Sequence, residues 1–359
     1  RKSDTLARIG GDEFGLLLIG CTLEKAETLA ELCRKAVENY RLNWNGRIFR
    51  VGASIGLIPI NNTSVSIEEL FKDADAACYK AKSLGRNNVQ TIRHGDEAVE
   101  QQRNKMNLMQ RIQRALENDS FELHFQTVAP IGETKTTGIC AEILVRLIDE
   151  TDTKQHSLIP PGAFIPTAER YQLMPAIDKW VISNTLKYFR KIRSERKNWE
   201  MFSLNISAQT LREKNIINWI SNEIDCSGVP ADMVCFDISE SSAIENQDCA
   251  IEFIKNLRSK GCRFALDNFG AGISSFGYLN QFPVQYIKID GSLVKEIIKN
   301  EAGYAILKAI NNIAHVVNVK TIAQHVESKE IIEELKRLRV DYIQGFAVDE
   351  PIPFIRRRI

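Results

Sequence analysis

From residue 121 onward the chain repeats one pattern: short apolar, β-branched segments, separated for the most part by helical periodicity. The segments are FELHFQTVA, ICAEILVRLI, MFSLNI, MVCFDI, CRFALD, QYIKID, VKTIAQ and DYIQGF. Eight of them in about 225 residues, apolar on both faces, predict a barrel of the (β/α)8 kind. In such a barrel the carboxyl ends of the strands share one mouth, so residues far apart in sequence converge there. Polar residues gather at or near those ends: Glu142, Asn205, Glu240, Asp267, Lys288, Gln324 and Gln344.

The region before the barrel is organised differently. FGLLLIG (14–20) reads as a buried strand, and LEKAETLAELCRKAVENY (23–40) spaces its apolar residues as a helix does. A strand is expected over 47–60, then a helix that opens on a Ser66–Glu69 capping box and stops at Gly85. This α/β block covers 1–92. Residues 93–118 are charged and glutamine-rich, with Val99, Met106, Met109, Ile112 and Leu116 at near-helical intervals, and predict a connecting helix whose Met and Leu are packing residues. The barrel domain takes 119–359.

At 359 residues and 44% hydrophobic, the chain exceeds one ordinary core, which agrees with two globular domains. Its 47 Lys and Arg balance 46 Asp and Glu, so no bulk charge recruits a nucleic-acid polymer or an acidic membrane surface; an anionic ligand must be held locally. The eight cysteines form no Cys-x-x-Cys and fit buried thiols in a reducing cytoplasm. There is no run of eighteen apolar residues and no readable signal peptide. Because the first residue is Arg, we read the chain as a piece of a longer protein, in which membrane or sensory segments would lie upstream.

Three carboxylates at the mouth, Glu142, Glu240 and Asp267, with the amide oxygen of Asn205, make a hard all-oxygen set suited to Mg²⁺, Mn²⁺ or Ca²⁺. Lys288 is placed to orient a phosphate or a water. Singly, each of these residues is as well explained as an end-of-strand polar cap. Together, and in order, they carry a resemblance. AEILVR (141–146), LNISAQ (204–209), FDISES (236–241), LDNFGAGISS (266–275), IKID (287–290), IAQHVES (322–328), IQGFAVDEPIP (343–353) and PPGAFIPTAER (160–170) resemble the EAL domain, over about residues 115–355. That family is known for phosphodiesterases that linearise cyclic di-GMP with two divalent cations.

The first block resembles the diguanylate cyclase, or GGDEF, domain, which joins two GTP into cyclic di-GMP. Gly10, Gly11, Asp12, Glu13 and Phe14 spell its name, and Arg1 and Asp4 stand where the family keeps its product-inhibition motif. ADAACYKAKSLGRN (74–87) resembles its closing helix, with Lys82 and Arg86 in the positions that hold the GTP phosphates. The resemblance implies that Asp12 and Glu13 hold the cation and assist the 3′-hydroxyl nucleophile. The family's first metal Asp and its guanine-reading residues belong to the half of the domain that would precede Arg1. This stretch alone is therefore not expected to make cyclic di-GMP, whereas its parent is, through two protomers that face each other.

Three departures from the EAL pattern decide what is expected of the barrel. Glu-Ala-Leu is Glu142-Ile143-Leu144, which keeps the metal carboxylate. The paired aspartates are Asp267 and Asn268, and Ala-Glu-Gly-Val-Glu is Ala323-Gln324-His325-Val326-Glu327. In the resemblance Glu142, Asn205, Glu240 and Asp267 serve the first cation, and Asp267 bridges to a second that relies on the positions of Asn268 and Gln324. Two amides for two acids remove two charges from that second site. Two-metal hydrolysis uses both ions, and one lost electrostatic contact costs on the order of 10²–10³ in rate. The residues that the resemblance assigns to ligand binding and catalysis remain: Gln126, Arg146, Lys288 and Glu327. His325 is read as a packing residue.

The leading expectation is a cytoplasmic-facing, dimeric diguanylate cyclase whose EAL domain binds cyclic di-GMP without cleaving it, with Mg²⁺ or Mn²⁺ as cofactor. The alternatives are a non-enzymatic cyclic di-GMP receptor and a weak or GTP-stimulated phosphodiesterase. A barrel kept only as a scaffold or dimerisation surface also stays open.

Overall fold

The computed structural model describes the chain except residues 1–2, 12, 45–46, 62–65, 93–96, 133–137, 150–156, 193–197, 272–278, 280 and 355–359. Side chains at 42–44, 47–50, 68–69, 83 and 97–105 are likewise left undescribed. The chain forms two compact units, Arg1–Leu108 and Met109–Ile359.

In the first unit, β1 (Thr5–Gly10) and β2 (Glu13–Leu17) form an antiparallel hairpin, followed by α1 (Leu23–Asn39). The single strand expected over 47–60 is divided. β3 (Arg41–Trp44) pairs with β4 (Arg47–Arg50), while β5 (Ile55–Leu57) pairs in parallel with β6 (Val89–Thr91) across α2 (Ile67–Ser83). The break falls around Gly52, a residue that gives a ladder no side chain to pack. Gly56 lets α2 ride directly on β5, since a Cβ there would meet Cys78 N at 2.5 Å and Ala74 O at 2.6 Å. Ala76, Ala77 and Ile92 form the buried cluster beneath. Gly85 stops α2 in the left-handed conformation, φ +104°, as a helix-ending glycine does. Of the expected capping box, the Ser66 carbonyl accepts from Leu70 N–H at 3.1 Å, and the Glu69 side chain is outside the described residues.

The predicted connecting helix is α3 (Glu97–Glu117), along which the first unit ends and the second begins. Ile112 and Ala115 on its last turns are buried. The Val99 side chain is outside the described residues.

The second unit begins with β7 (Phe121–Thr127), β8 (Ala129–Pro130), β9 (Ile139–Ile148), β10 (Leu158–Ile159), α4 (Pro161–Arg170) and α5 (Met174–Lys191). It continues through β11 (Trp199–Ile206), α6 (Ala208–Leu211), α7 (Ile216–Ser227), β12 (Val234–Ser239), α8 (Glu240–Glu245), α9 (Gln247–Ser259) and β13 (Arg263–Phe269). The last part holds β14 (Tyr286–Ile289), α10 (Gly291–Glu296), α11 (Glu301–Val316), β15 (Lys320–Ala323), α12 (Lys329–Arg337), β16 (Tyr342–Ile343) and β17 (Ile352–Pro353). Strands β9, β11, β12, β13, β14, β15 and β16 are parallel neighbours in that order. The first strand runs the other way: β7 pairs antiparallel with β9, and β8 pairs antiparallel with β16, so one chain segment closes the ring. The reversal has a local cause. Residues 128–138 show no helical periodicity, and a short connection suffices between antiparallel strands but not between parallel ones, which need a crossover of a dozen residues or more.

Side chains fill the barrel in layers. Val128, Cys140, Met201, Cys235, Ala265, Tyr286, Ile322 and Tyr342, one from each of the eight strand positions, pack into an apolar plug. Side chains repeat with period two along a strand, so the next inward layer lies two residues on. It contains Glu142, Ser203, Asp237, Asp267, Lys288, Gln324 and Gln344, with Gln126 two residues back on the reversed strand; all eight are buried. A greasy floor thus carries a polar ring toward the mouth. All eight cysteines are free; Cys140, Cys235 and Cys262 are buried, while Cys226 is exposed against the expectation of buried thiols.

Candidate ligand site at the barrel mouth

Lys288 on β14 is the centre of the polar ring, with 1% of its surface exposed. Its Nζ lies 2.6 Å from Glu142 Oε2, 2.8 Å from Asp237 Oδ2 and 3.7 Å from Asp267 Oδ1. Burial works against its charge, yet Asp237, Asp267 and Glu142 hold its pKa well above the ordinary lysine value. Burial likewise acts to raise the Glu142 pKa, but Lys288, helped by hydrogen bonds from Asn205 and Gln344, holds it below the usual carboxylate range. For Asp237 burial prevails and pushes the pKa up to about 6, and burial also raises that of Asp267. The expected role of Lys288, orienting a phosphate or a water, thus starts from an ammonium shared among three carboxylates. One ammonium thus serves three carboxylates, two of which burial makes harder to ionise.

Amides complete the ring. Asn205 Nδ2 donates to Glu142 Oε1 at 2.7 Å, and Gln344 Nε2 donates to Glu142 Oε2 at 2.9 Å and to Gln126 Oε1 at 3.2 Å. Gln126 Nε2 in turn donates to the Asp349 carbonyl at 2.9 Å. Both oxygens of Asp267 face amides: Gln324 Nε2 donates to Oδ1 at 2.9 Å, and Asn268 Nδ2 to Oδ2 at 3.3 Å. Asn268 is exposed and left-handed, φ +55°, a conformation that asparagine tolerates better than most residues.

The other expected residues are placed as follows. Glu240 opens α8, is buried, and accepts from Gly270 N–H at 3.0 Å. Arg146, half-buried, donates to the Val145 carbonyl at 3.0 Å. Glu327 is exposed and pairs with Lys295 on α10 at 2.7 Å, a contact that lowers its carboxyl pKa. His325 is exposed, has φ +53°, and packs over Gly291, which supports its reading as a packing residue. In the first unit, Gly10 pairs with Glu13 at the tip of the hairpin. Glu13 and Lys82 both lie within electrostatic reach of the Cys78 thiol, whose pKa is raised chiefly by burial. Arg86 follows α2 in the left-handed region, φ +60°, and Asp4 precedes β1. Arg1 and Asp12 are outside the described residues.

Asp237 is the ring member that motif reading does not single out. Its signal is periodicity: it follows Cys235 by two residues on β12, as Glu142 follows Cys140 on β9.

Glu142, Asn205, Glu240 and Asp267 are the oxygen-bearing residues that would hold a first divalent ion, with Glu142 and Asp267 shared with Lys288. Beside Asp267, Asn268 and Gln324 bring neutral amides where two further carboxylates would add negative charge, which weakens this end of the ring for a second divalent ion. Among the described residues no group of three or more His, Cys, Asp or Glu side chains is set out around a common point for a metal ion.

Comparison with known proteins extends over nearly the whole chain. The EAL domain family matches residues 109–351, and the family described as diguanylate cyclase, GGDEF domain, matches residues 1–88. The chain is 35% identical over 356 residues to the cyclic di-GMP phosphodiesterase PdeB of Shewanella oneidensis, covering 98% of this chain and 40% of that protein. It is 30% identical over 357 residues to MucR of Pseudomonas aeruginosa, a bifunctional diguanylate cyclase/cyclic di-GMP phosphodiesterase, covering 98% of this chain and 50% of that one. The chain thus spans half or less of the length of these relatives. Among solved structures, the PaMucR phosphodiesterase in its c-di-GMP complex aligns with TM-score 0.63 at 27% identity, over 69% of this chain and 98% of that one. The FimX EAL domain from Pseudomonas aeruginosa bound to c-di-GMP aligns with TM-score 0.62 at 27% identity, over 68% and 96%.

Proposed function

The chain belongs to the EAL domain family, and on that premise we propose that its barrel binds cyclic di-GMP and hydrolyses it poorly or not at all, as part of a longer cyclic di-GMP signalling protein. One observation carries this reading: the two amide donors on Asp267. Where the family resemblance implies a second cation bridged by Asp267, this chain directs N–H groups at both of that carboxylate's oxygens. A cation brought there meets two neutral amides instead of two further negative charges. Two-metal hydrolysis loses the ion that steadies the leaving oxygen or activates the water. Binding depends on other groups, among them Arg146, Gln126 and the loop after Asp267. The PaMucR phosphodiesterase and the FimX EAL domain, both solved with c-di-GMP, support the choice of ligand. Glu142, Asn205, Glu240 and Asp267 would hold a single Mg²⁺ or Mn²⁺, which when bound would supply positive charge for the nucleotide's phosphates.

Incubation of the chain with cyclic di-GMP and Mg²⁺ tests the reading, with calorimetry for binding and chromatography for the linear product. Binding without turnover is expected. Enzyme-like cleavage by the unaltered chain overturns it.

For the first unit we infer a diguanylate cyclase activity in the parent. Glu13 and Lys82 both stand within electrostatic reach of Cys78, which supports one GTP site built from the hairpin and the end of α2, with Arg86 beside it and Asp12 completing the cation set. Catalysis then needs a homodimer with one GTP on each protomer. Arg1 and Asp4 serve product inhibition. The protein extended upstream, given GTP and Mg²⁺, is expected to form cyclic di-GMP, and absence of product at micromolar protein overturns this part. The site is read as facing the cytoplasm, where GTP is available. No helix among the described residues is long and apolar enough to cross a membrane.

A purely receptor role is favoured by one further feature. The end of α3 carries buried Ile112 and Ala115 and is tied to the end of β9 by the Arg111–Asp149 ion pair at 2.5 Å. Asp149 follows β9, the strand that carries Glu142 and Arg146, so a ligand at the mouth has a short route to α3. Tight nucleotide binding without GTP turnover by the extended protein selects this reading over the cyclase.

A further inference from the structure

Gln324 and Gln344 stand one residue beyond β15 and β16, at 8% and 4% exposure. The backbone holds them side by side: Gln344 N–H donates to the Ala323 carbonyl at 2.9 Å, and Val326 N–H donates to the Gln344 carbonyl at 3.0 Å. Each side-chain amide is oriented by a carboxylate. Gln324 Nε2 donates to Asp267 Oδ1 and Gln344 Nε2 to Glu142 Oε2, both at 2.9 Å. Flipping either amide would set a carbonyl oxygen against a carboxylate oxygen, so both Oε1 atoms must point away from the ring's anions. Neither Oε1 has a donor among the described residues. Buried acceptors without a donor are costly, and two of them at adjacent strand ends define a site that seeks hydrogen-bond donors.

We propose that the amide oxygens of Gln324 and Gln344 form a paired acceptor that receives a neutral O–H or N–H donor of the bound nucleotide and selects the ligand by that donor. The proposal rests on the reading of the barrel as a cyclic di-GMP site. The donors a cyclic di-guanylate offers include the ribose 2′-hydroxyl and the guanine 2-amino group. A site built to hydrogen-bond such a group rejects the analogue that lacks it, because its own polar atoms are then left unpaired. The amides therefore do more than replace acids: they exchange attraction for a cation for selection among nucleotides.

The test is calorimetry with Mg²⁺ and cyclic di-GMP, its 2′-deoxy analogue and cyclic di-IMP, which lacks the 2-amino group. The unaltered chain is expected to bind one analogue on the order of tenfold or more weakly than cyclic di-GMP, the effect of one net hydrogen bond, and the analogue affected identifies the donor. In Gln324→Met or Gln344→Met that ratio is expected to fall toward one. A merely structural role for these residues lowers all affinities alike and leaves the ratio unchanged, so it is the ratio that decides, with circular dichroism to confirm that each variant is folded. Equal affinity for all three ligands, or a ratio unchanged in both variants, overturns the paired acceptor while leaving the binding site intact. Absence of cyclic di-GMP binding to the unaltered chain overturns the reading of the barrel, and this inference with it.

Discussion

Lys288 shows how one residue can both stabilise a site and bias its chemistry. Its ammonium lies among Glu142, Asp237 and Asp267, so Lys288→Met would leave three carboxylates around an apolar tip. Breaking a buried pair in this way typically costs about 3–5 kcal/mol, and urea unfolding at pH 7 is expected to show a loss of that order. A second buried acid carries a pH signature. Asp178 on α5 accepts from Ser207 N–H at 2.9 Å and from Thr210 Oγ1 at 2.6 Å, and burial pushes its pKa up to about 6. The folded protein therefore keeps a proton that the unfolded chain releases near pH 4, and stability falls as pH rises between those values. Asp178→Asn does not titrate. Its stability relative to the unaltered chain should increase from pH 4 to pH 7, by about 3 kcal/mol at most. A flat difference across that range would show that Asp178 is not protonated in the fold.

At the scale of elements, the contact between α10 and the end of β15 is a matched pair. A Cβ on Gly291 would lie 2.5 Å from His325 Cδ2 and 2.7 Å from its Cβ and Cγ. Gly291→Ala is therefore expected to cost about 1–3 kcal/mol by overpacking. The same change in a His325→Gly background should cost much less, which a double-mutant cycle on thermal stability would read as coupling. The exchange also explains why a histidine stands where the family resemblance places glycine: its left-handed backbone is strained, but its ring covers a position that has no side chain. Sequence reading recovers the eight strands because each is a short apolar run. It does not recover the reversed first strand, because hydrophobic pattern carries no direction, nor the role of Asp237, because an acid inside VCFDIS is conspicuous only once the floor residue Cys235 fixes the inward phase. The mouth residues were legible for the opposite reason: motif spacing names Glu142, Asn205, Asp267 and Asn268 without any geometry. Which way each amide turns was not legible, since that depends on carboxylates brought in from other strands.

For the molecule as a whole, the two units differ in how much they bury. Thr5–Gly10 is exposed throughout, with Leu6 at 70% and Phe14 across the hairpin at 63%, whereas Val234, Phe236 and Ile238 of β12 are fully buried. Local stability follows burial, so in this chain, which spans half or less of its relatives' length, amides of β1 and β2 should exchange with solvent faster than those of β12 and β13 by roughly three orders of magnitude or more. Equal protection would show that the hairpin is covered to the same degree. We propose that this EAL barrel has become a binding domain by subtraction at the second-cation position. The most direct measurement is cyclic di-GMP hydrolysis with Mg²⁺ by the unaltered chain and by the double variant Asn268→Asp, Gln324→Glu, alongside calorimetry of both. We predict that both proteins bind and that only the variant cleaves readily, with a gain on the order of 10²-fold or more. Rapid cleavage by the unaltered chain, or no gain from restoring both acids in a folded variant, would contradict the account.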